Sequence, residues 1–467
     1  MQPGIVHIGV GGFHRAHQAM YVDRLLDRGL APEWGIRGLG LLPHDATMRD
    51  ALVAQDGLYT LMVKNADGTI DARVIGSILD HHHAPDDPEA AIEMLADPRI
   101  RIVSLTVTEG GYFVHPITGE LDTAHPMVAA DLRSGGPPTS ALGYLAAGLR
   151  RRRHRGTPPF TVLSCDNIQH NGDVGKRMLV SFATEVDAEL GSWIAGNVAF
   201  PNSMVDRITP VTTDADREVL AARFGVEDQW PVVCEPFTQW VVEDHFPSGR
   251  PPWESVGAQM TADVAPYEAM KLRLLNASHQ ALCYFGHLAG YRLVHDVCQD
   301  PLFSSFLRAY MSKEGGPTLA EVPGVDLAVY QKTLIDRFSN PYVRDTVARL
   351  CAESSDRIPK WLLPVVRDNL ANGGQVHLSA AVIASWARYA EGSDEVGQPI
   401  TVVDRLAEER RAAALAYPDD DLAFLRNRDL FGDLADQEAF TTSYRWALQS
   451  LHREGARRTL ELLMDIA

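Results

Sequence analysis

Short apolar runs alternate with stretches of helical periodicity through the first two hundred residues, and this alternation restricts the fold more than any other property of the chain. Strands are expected at Ile5–Val10, Ile36–Leu42, Arg101–Val107, Phe160–Ser164 and Gly196–Phe200, with helices at Gln18–Arg28, Pro88–Leu95, Ser140–Arg153 and Val174–Leu190. The pattern predicts an α/β fold: a mostly parallel sheet with helices on both faces. Tyr59–Val63 and Ala72–Ile78, flanking Asn65-Ala-Asp-Gly68, read as an inserted hairpin. After the Pro/Gly-rich stretch Phe246–Trp253 the periodicity becomes helical almost to the end. The domain boundary is therefore placed near residue 255, giving an α/β domain over 1–255 and a mainly α-helical domain over 256–467.

A chain of 467 residues has room for both cores. Its net charge of −18 argues against nucleic acid or an anionic membrane as a partner. The five cysteines, Cys165, Cys234, Cys283, Cys298 and Cys351, are scattered and form no CxxC pair, as expected of reduced thiols in a cytoplasmic protein. No signal peptide is read at the start, and no run of eighteen apolar residues occurs. The basic run Arg150–Arg155 reads as favourable charge at a helix C-terminus. His81-His82-His83 reads as a surface turn, because consecutive side chains cannot all face one ion. No metal is expected.

Polar clusters fall at the strand ends. The first strand runs into Gly9-Val-Gly11-Gly12-Phe13-His14-Arg15. Gly9 and Gly11 occupy the first two positions of a dinucleotide fingerprint, but the third holds His14. The second strand ends at Asp45, where a carboxylate accepts from ribose hydroxyls and favours NAD over NADP; the same residue can instead cap the helix Ala46–Ala54. Arg49 lies close by. The later strand ends carry Thr106-Val-Thr108-Glu109-Gly-Gly-Tyr112, Ser164-Cys-Asp-Asn167 with Asn171 beyond, and Asn202–Arg207. Ligands bind at the carboxyl ends of strands in open α/β sheets.

One helical stretch combines Glu268, Lys271, Asn276 and His279 within twelve residues. At 100° per residue, with Lys271 at zero, Glu268 falls at about 60°, His279 at about 80° and Asn276 at about 140°. Leu272 and Leu275 share this face. Polar groups inside an apolar stripe need partners. The face is either a buried ion pair with a hydrogen-bonded histidine or an active site built on a buried lysine base.

Together these motifs resemble the polyol-specific long-chain dehydrogenases, the family that includes mannitol 2-dehydrogenase and the fructuronate and tagaturonate reductases. The resemblance covers nearly the whole chain, and Lys271-x4-Asn276-x2-His279 is its most specific part. It implies a Rossmann-type N-terminal domain, a largely helical C-terminal domain, a site between them, and metal-independent hydride transfer with NAD. Lys271 would be the catalytic base, Asn167 and Asn276 the oxyanion site, and Glu268 the residue associated with proton passage to Lys271. His279, Asp206 and Asn171 would meet the substrate, with Arg337 and Lys360 nearby; Arg337, Arg357 or Lys360 would supply a cation for a substrate carboxylate. Gly9, Gly11, Gly12, Phe13, Arg15, Asp45, Thr106, Thr108, Glu109 and Val205 would line the cofactor. The segment Ala352–Lys360 departs from the family's Asp-Gly-Ser-x-Lys pattern, which bears on substrate identity.

As a base Lys271 must be neutral, with a pKa well below its free value of about 10.4; burial acts in that direction. The expected reaction is oxidation of a polyol such as mannitol, arabinitol or sorbitol to a ketose. The alternatives are a hexuronate reductase and a non-catalytic NAD-binding regulator. A Gly-x-Ser-x-Gly hydrolase elbow is absent. The expected partner is a small polyol or ketose, and the expected state a monomer or small homo-oligomer.

Overall fold

Eleven strands occur among the described residues: β1 (Pro3–Ile8), β2 (Gly35–Gly40), β3 (Tyr59–Lys64), β4 (Ile70–Ile75), β5 (Ile78–His83), β6 (Ile102–Leu105), β7 (Thr161–Ser164), β8 (Ser203–Asp206), β9 (Val232–Cys234), β10 (Gln239–Glu243) and β11 (Gln259–Thr261). The structure is a computed structural model that describes residues 1–115, 118–133 and 136–466. It divides into two compact units, Met1–Ala265 and Pro266–Ala467.

In the first unit the main sheet has the order β5-β2-β1-β6-β7, all parallel. β6 and β7 are buried along their whole length, which explains why they read as unbroken apolar runs. Alternate side chains serve opposite faces. Val6, Ile8, Val103 and Leu105 join the helices Pro88–Ala96, Ala141–Arg155 and Asn171–Val186. Ile5, Ile36, Ile102 and Leu163 join Gln18–Asp27, Trp240 and Trp253. Strand order runs outward from β1 through β2 to β5, then resumes on the other side with β6 and β7. The topological switch point therefore lies between β1 and β6, and the crevice at their carboxyl ends is where this architecture places a ligand.

Several sequence expectations need correction. Gly196–Phe200 is not a strand: the helix Ala188–Asn197 covers its start, and Ala199 O accepts a single bond from β7 among the described residues, from Val162 N at 3.0 Å. Pro201 follows and has no amide to extend a ladder. The strand there is β8, antiparallel to β10 in a separate sheet of order β11-β10-β8. His81–His83 do not form a surface turn; they lie on β5, with His81 and His83 buried. The hairpin is β3–β4, paired from Tyr59↔Ile75 to Lys64↔Ile70. Residues 256–265 lie with the first unit, since β11 pairs with β10 there.

The second unit is helical. Ala277–Leu288, His377–Ala390 and Glu438–Ile466 contribute buried faces to its interior. Ala380, Ala381, Ala384 and Ala387 are all buried, and such small side chains let neighbouring helix backbones come close.

Beneath the end of β1 lies a group of buried imidazoles. His7 shares hydrogen bonds with Ser104 Oγ (2.8 Å) and Thr106 Oγ1 (2.9 Å), and its ring stacks on His14 at 3.4 Å. Burial pushes His7 down to about 3 and His81 to about 4, and holds His14 well below the ordinary imidazole range. Below about pH 6.5 the unfolded chain therefore binds more protons than the folded one, and stability falls as pH falls. Each such histidine contributes a slope of about 1.4 kcal/mol per pH unit. Urea unfolding between pH 6.5 and 5 should show this decline, and His14→Phe, which keeps an aromatic ring in the stack, should remove one histidine's share. An unchanged slope in the variant would refute the assignment.

Candidate active site

The ends of β1 and β6 meet backbone to backbone. Gly9 has φ +90°, and a Cβ there would strike the Thr106 carbonyl, so only glycine fits. Thr106 Oγ1 donates to Gly9 O at 2.7 Å. At Gly11 an added Cβ would find only Gly9 O, at 3.8 Å, which leaves this turn open for close approach of another group. Arg15 fastens the turn from inside. Its Nε donates to Gly11 O at 3.4 Å, and its guanidinium also donates to Trp230 O. Tyr59 OH donates to Arg15 O at 2.6 Å. Phe13 stacks on His17 at 4.9 Å.

At the end of β2, Asp45 Oδ2 accepts from the amides of Leu41 and Leu42, both at 2.9 Å. Arg49 is spent on Asp50 and Asp86.

Asp166 organises the loops after β6 and β7. It accepts from Thr108 N (2.8 Å), Val107 N (3.1 Å) and Tyr112 OH (2.8 Å). Burial raises its pKa, while these three donors pull it down. The bonds hold Thr108 at φ +62°, so that Thr108 and Glu109 are presented to solvent. Asn167, the next residue, is also exposed. Asn171 is fully buried and stitches β7 to β8: its Nδ2 donates to Ser203 O (2.8 Å) and Asp166 O (3.0 Å), and its Oδ1 accepts from Ser203 N (2.9 Å). Val205 and Asp206 are buried within β8, opposite Trp240 and Gln239 of β10. They lie in a strand and not in a loop beyond one.

In the second unit the Lys271 segment is not a plain α-helix. Ala265–Met270 and Ala277–Leu288 are α-helical, and Lys271–Asn276 between them is a π turn. Ala277 N–H donates to Leu272 O, five residues back. Bonding from i to i+5 widens the turn. It therefore brings Asn276 toward the azimuth of Lys271, closing much of the separation that regular α periodicity gives. Glu268, Lys271, Asn276 and His279 are all buried, none more than 8% exposed. Among the described residues, the Asn276 amide nitrogen has no hydrogen-bond partner. His279 packs on Phe338 at 4.4 Å, next to buried Arg337 on the helix Leu327–Phe338. Arg357 donates to the carbonyls of Arg349 (3.0 Å) and Leu350 (3.1 Å), while Lys360 is exposed.

Sequence reasoning passed over two parts of this arrangement. Asp166 and Tyr112 lay inside quoted motifs, and an acid beside a strand end was the available signal. Tyr310 and Asp368 both bind Arg273 of the π turn from far along the chain, and nothing local marked them.

The Mannitol dehydrogenase Rossmann domain model matches residues 3–255, and the Mannitol dehydrogenase C-terminal domain model matches residues 263–452. The chain belongs to the mannitol dehydrogenase family. A relative named Mannitol 2-dehydrogenase from Phaeosphaeria nodorum is 48% identical over 98% of this chain and 81% of its own length. One of the same name from Aspergillus fumigatus is 46% identical over 98% and 93%. Among solved structures, the Pseudomonas fluorescens mannitol 2-dehydrogenase ternary complex with NAD and D-mannitol is 45% identical, with a TM-score of 0.88 over 100% of this chain and 95% of that one. A D-sorbitol dehydrogenase in substrate-free form is 37% identical, with a TM-score of 0.91 over 98% and 95%.

Removing the Asp166 carboxylate strands two backbone amides and leaves the buried Tyr112 hydroxyl with Ser164 Oγ alone, at 2.6 Å. Asp166→Ala should lower the free energy of unfolding by about 3 kcal/mol or more and open the 106–113 loop to limited proteolysis. Urea denaturation and peptide mapping read both; a loss under about 0.5 kcal/mol, typical of a plain surface change, would remove Asp166 as the organiser.

Proposed function

We propose that this protein is an NAD-dependent polyol dehydrogenase that oxidises a secondary alcohol, D-mannitol first among candidates, to the ketose, with Lys271 as the base. The observation that carries the reading is the π turn that begins at buried Lys271 and ends at buried Asn276 in a chain of this family. Support also comes from the solved relative at 45% identity, whose complex contains NAD and D-mannitol.

The first unit suits a dinucleotide. The turn at Gly9–Gly12 offers a backbone cradle that side chains would fill, and the second Asp45 carboxylate oxygen, not used on Leu41 and Leu42, lies 3.6 Å from the exposed His44 ring. Gly9, Gly11, Gly12, Phe13, Thr106, Thr108, Glu109 and Val205 are the residues we assign to holding it, with Arg15 bracing the turn. When bound, NAD supplies the hydride acceptor.

The remaining work falls to the protein. Lys271 takes the hydroxyl proton, and its burial favours the neutral amine that a base requires. The Asn276 amide donates to the oxygen as negative charge builds there, and Asn167 is assigned a second donor. Such a donor, set in place beforehand, is worth about 3–4 kcal/mol in comparable sites. Glu268 is assigned to passing the proton onward, and His279, Asp206 and Arg337 to holding the other hydroxyls. Asn171 is assigned to keeping the β7 and β8 ends together.

NADH formation at alkaline pH over D-mannitol, D-sorbitol and D-arabinitol tests the reading. Lys271→Ala should lower kcat about 10²–10⁴-fold with NADH affinity retained; near-normal turnover would dismiss Lys271 as the base. Asp45→Asn keeps an oxygen for the turn but removes the charge, and should narrow the preference for NAD over NADP. An unmoved ratio of kcat/KM values would take Asp45 out of cofactor selection.

A further inference from the structure

A π turn must be held open. In a regular α-helix the Ala277 N–H would donate to the Arg273 carbonyl, four residues back. Here it reaches Leu272 instead, which leaves the Arg273 carbonyl without its helical donor. That carbonyl accepts from Tyr310 OH at 3.1 Å. The phenol therefore takes the place that an α-helical amide would occupy. A buried carbonyl with no partner is costly, so the hydroxyl and the Ala277 amide are alternatives, one stabilising the π register and the other the α register.

The same residue is held at its other end. The Arg273 guanidinium donates to Asp368 (2.5 Å) and to Thr318 O (2.8 Å). Tyr310 is itself fixed. It is fully buried and opens a second π turn, Tyr310–Gly315. The two turns approach at Gly315, where a Cβ would come within 3.0 Å of Leu274 Cδ2 and 3.2 Å of Arg273 O. The second turn is anchored in turn by buried Glu314, whose carboxylate accepts from Leu378 N (2.7 Å), Ser379 N (2.8 Å) and Ser379 Oγ (2.5 Å) at the start of the helix His377–Ala390. Gln331 Nε2 donates to Met311 O at 3.2 Å, and Asn369 Nδ2 to Glu314 O at 3.0 Å.

We infer that Tyr310 is a positioning residue for the reaction: by occupying the Arg273 carbonyl it keeps Lys271–Asn276 in the π register and so sets the amine and the amide toward one substrate oxygen. The inference rests on the reading of Lys271 as the base. Without the hydroxyl, the segment relaxes toward the α register and rotates Asn276 away from Lys271.

Tyr310→Phe removes one oxygen and keeps the ring. We expect kcat for polyol oxidation to fall about tenfold or more, as small misplacements at reacting centres do, with the NADH Kd unchanged and the acidic limb of the kcat/KM pH profile, where Lys271 takes up its proton, displaced. Asp368→Asn, which loosens the same residue by another route, should shift the profile in the same direction. Tyr444→Phe is the control, because the buried Tyr444 hydroxyl has no partner among the described residues. A Tyr310→Phe enzyme with wild-type kcat and pH profile, alongside an inactive Lys271→Ala, overturns the positioning role and leaves the base assignment standing. A loss of activity equal to that of Tyr444→Phe, with no change in pH profile, overturns it as well. An active Lys271→Ala defeats the underlying reading instead.

Discussion

A carboxylate taken out of water must be met by hydrogen-bond donors, and both units of this chain are organised around that requirement. Asp166 gathers two backbone amides and a tyrosine hydroxyl from the loop after β6. Glu314 gathers two amides and a serine hydroxyl at the start of His377–Ala390, and burial lifts it to about 7. Asp131 does the same for the backbone and hydroxyls of Thr139 and Ser140. Asp166 and Glu314 do so from more than fifty residues away, and Asp131 from eight or nine. The strand ends and the π turns, where chemistry-bearing side chains are presented, depend on these anchors more than on local propensity.

The parts of the fold that were legible in sequence are those with local causes. β1, β2, β6 and β7 are buried on both faces and read as apolar runs; Gly9 marks a turn only glycine can make. What escaped had non-local causes. β8 pairs with β10, which lies more than thirty residues on, so its polar ends looked like a loop. The histidines of β5 hid a strand, since nothing in three consecutive imidazoles says that two of them face a core. Arg15 is expected from the motif to line the cofactor, and its buried guanidinium serves the backbone of Gly11 and Trp230. The lysine–asparagine–histidine motif was readable as a set of residues, while its geometry was not, because 100° per residue describes only a regular helix.

An unpaired amide inside a protein costs about 1–3 kcal/mol. The Asn276 nitrogen carries that cost among the described residues, and the buried Ser278 hydroxyl two residues on also has no partner there. Donors kept unspent in this way are what a developing negative charge requires, since they need no rearrangement at the moment of reaction. Stability has been traded locally for readiness, as is common at reactive centres.

The widened turn also has a practical consequence for protein engineering. A lysine and an asparagine copied at the same spacing onto an ordinary helix would face different directions, because the geometry is not stored in those six residues. It is stored partly in a phenol thirty-seven positions downstream and in the glycine that lets its turn approach. Grafting this chemistry onto another scaffold therefore means transplanting two interlocked helical segments, with the hydroxyl between them, and not a short stretch of sequence.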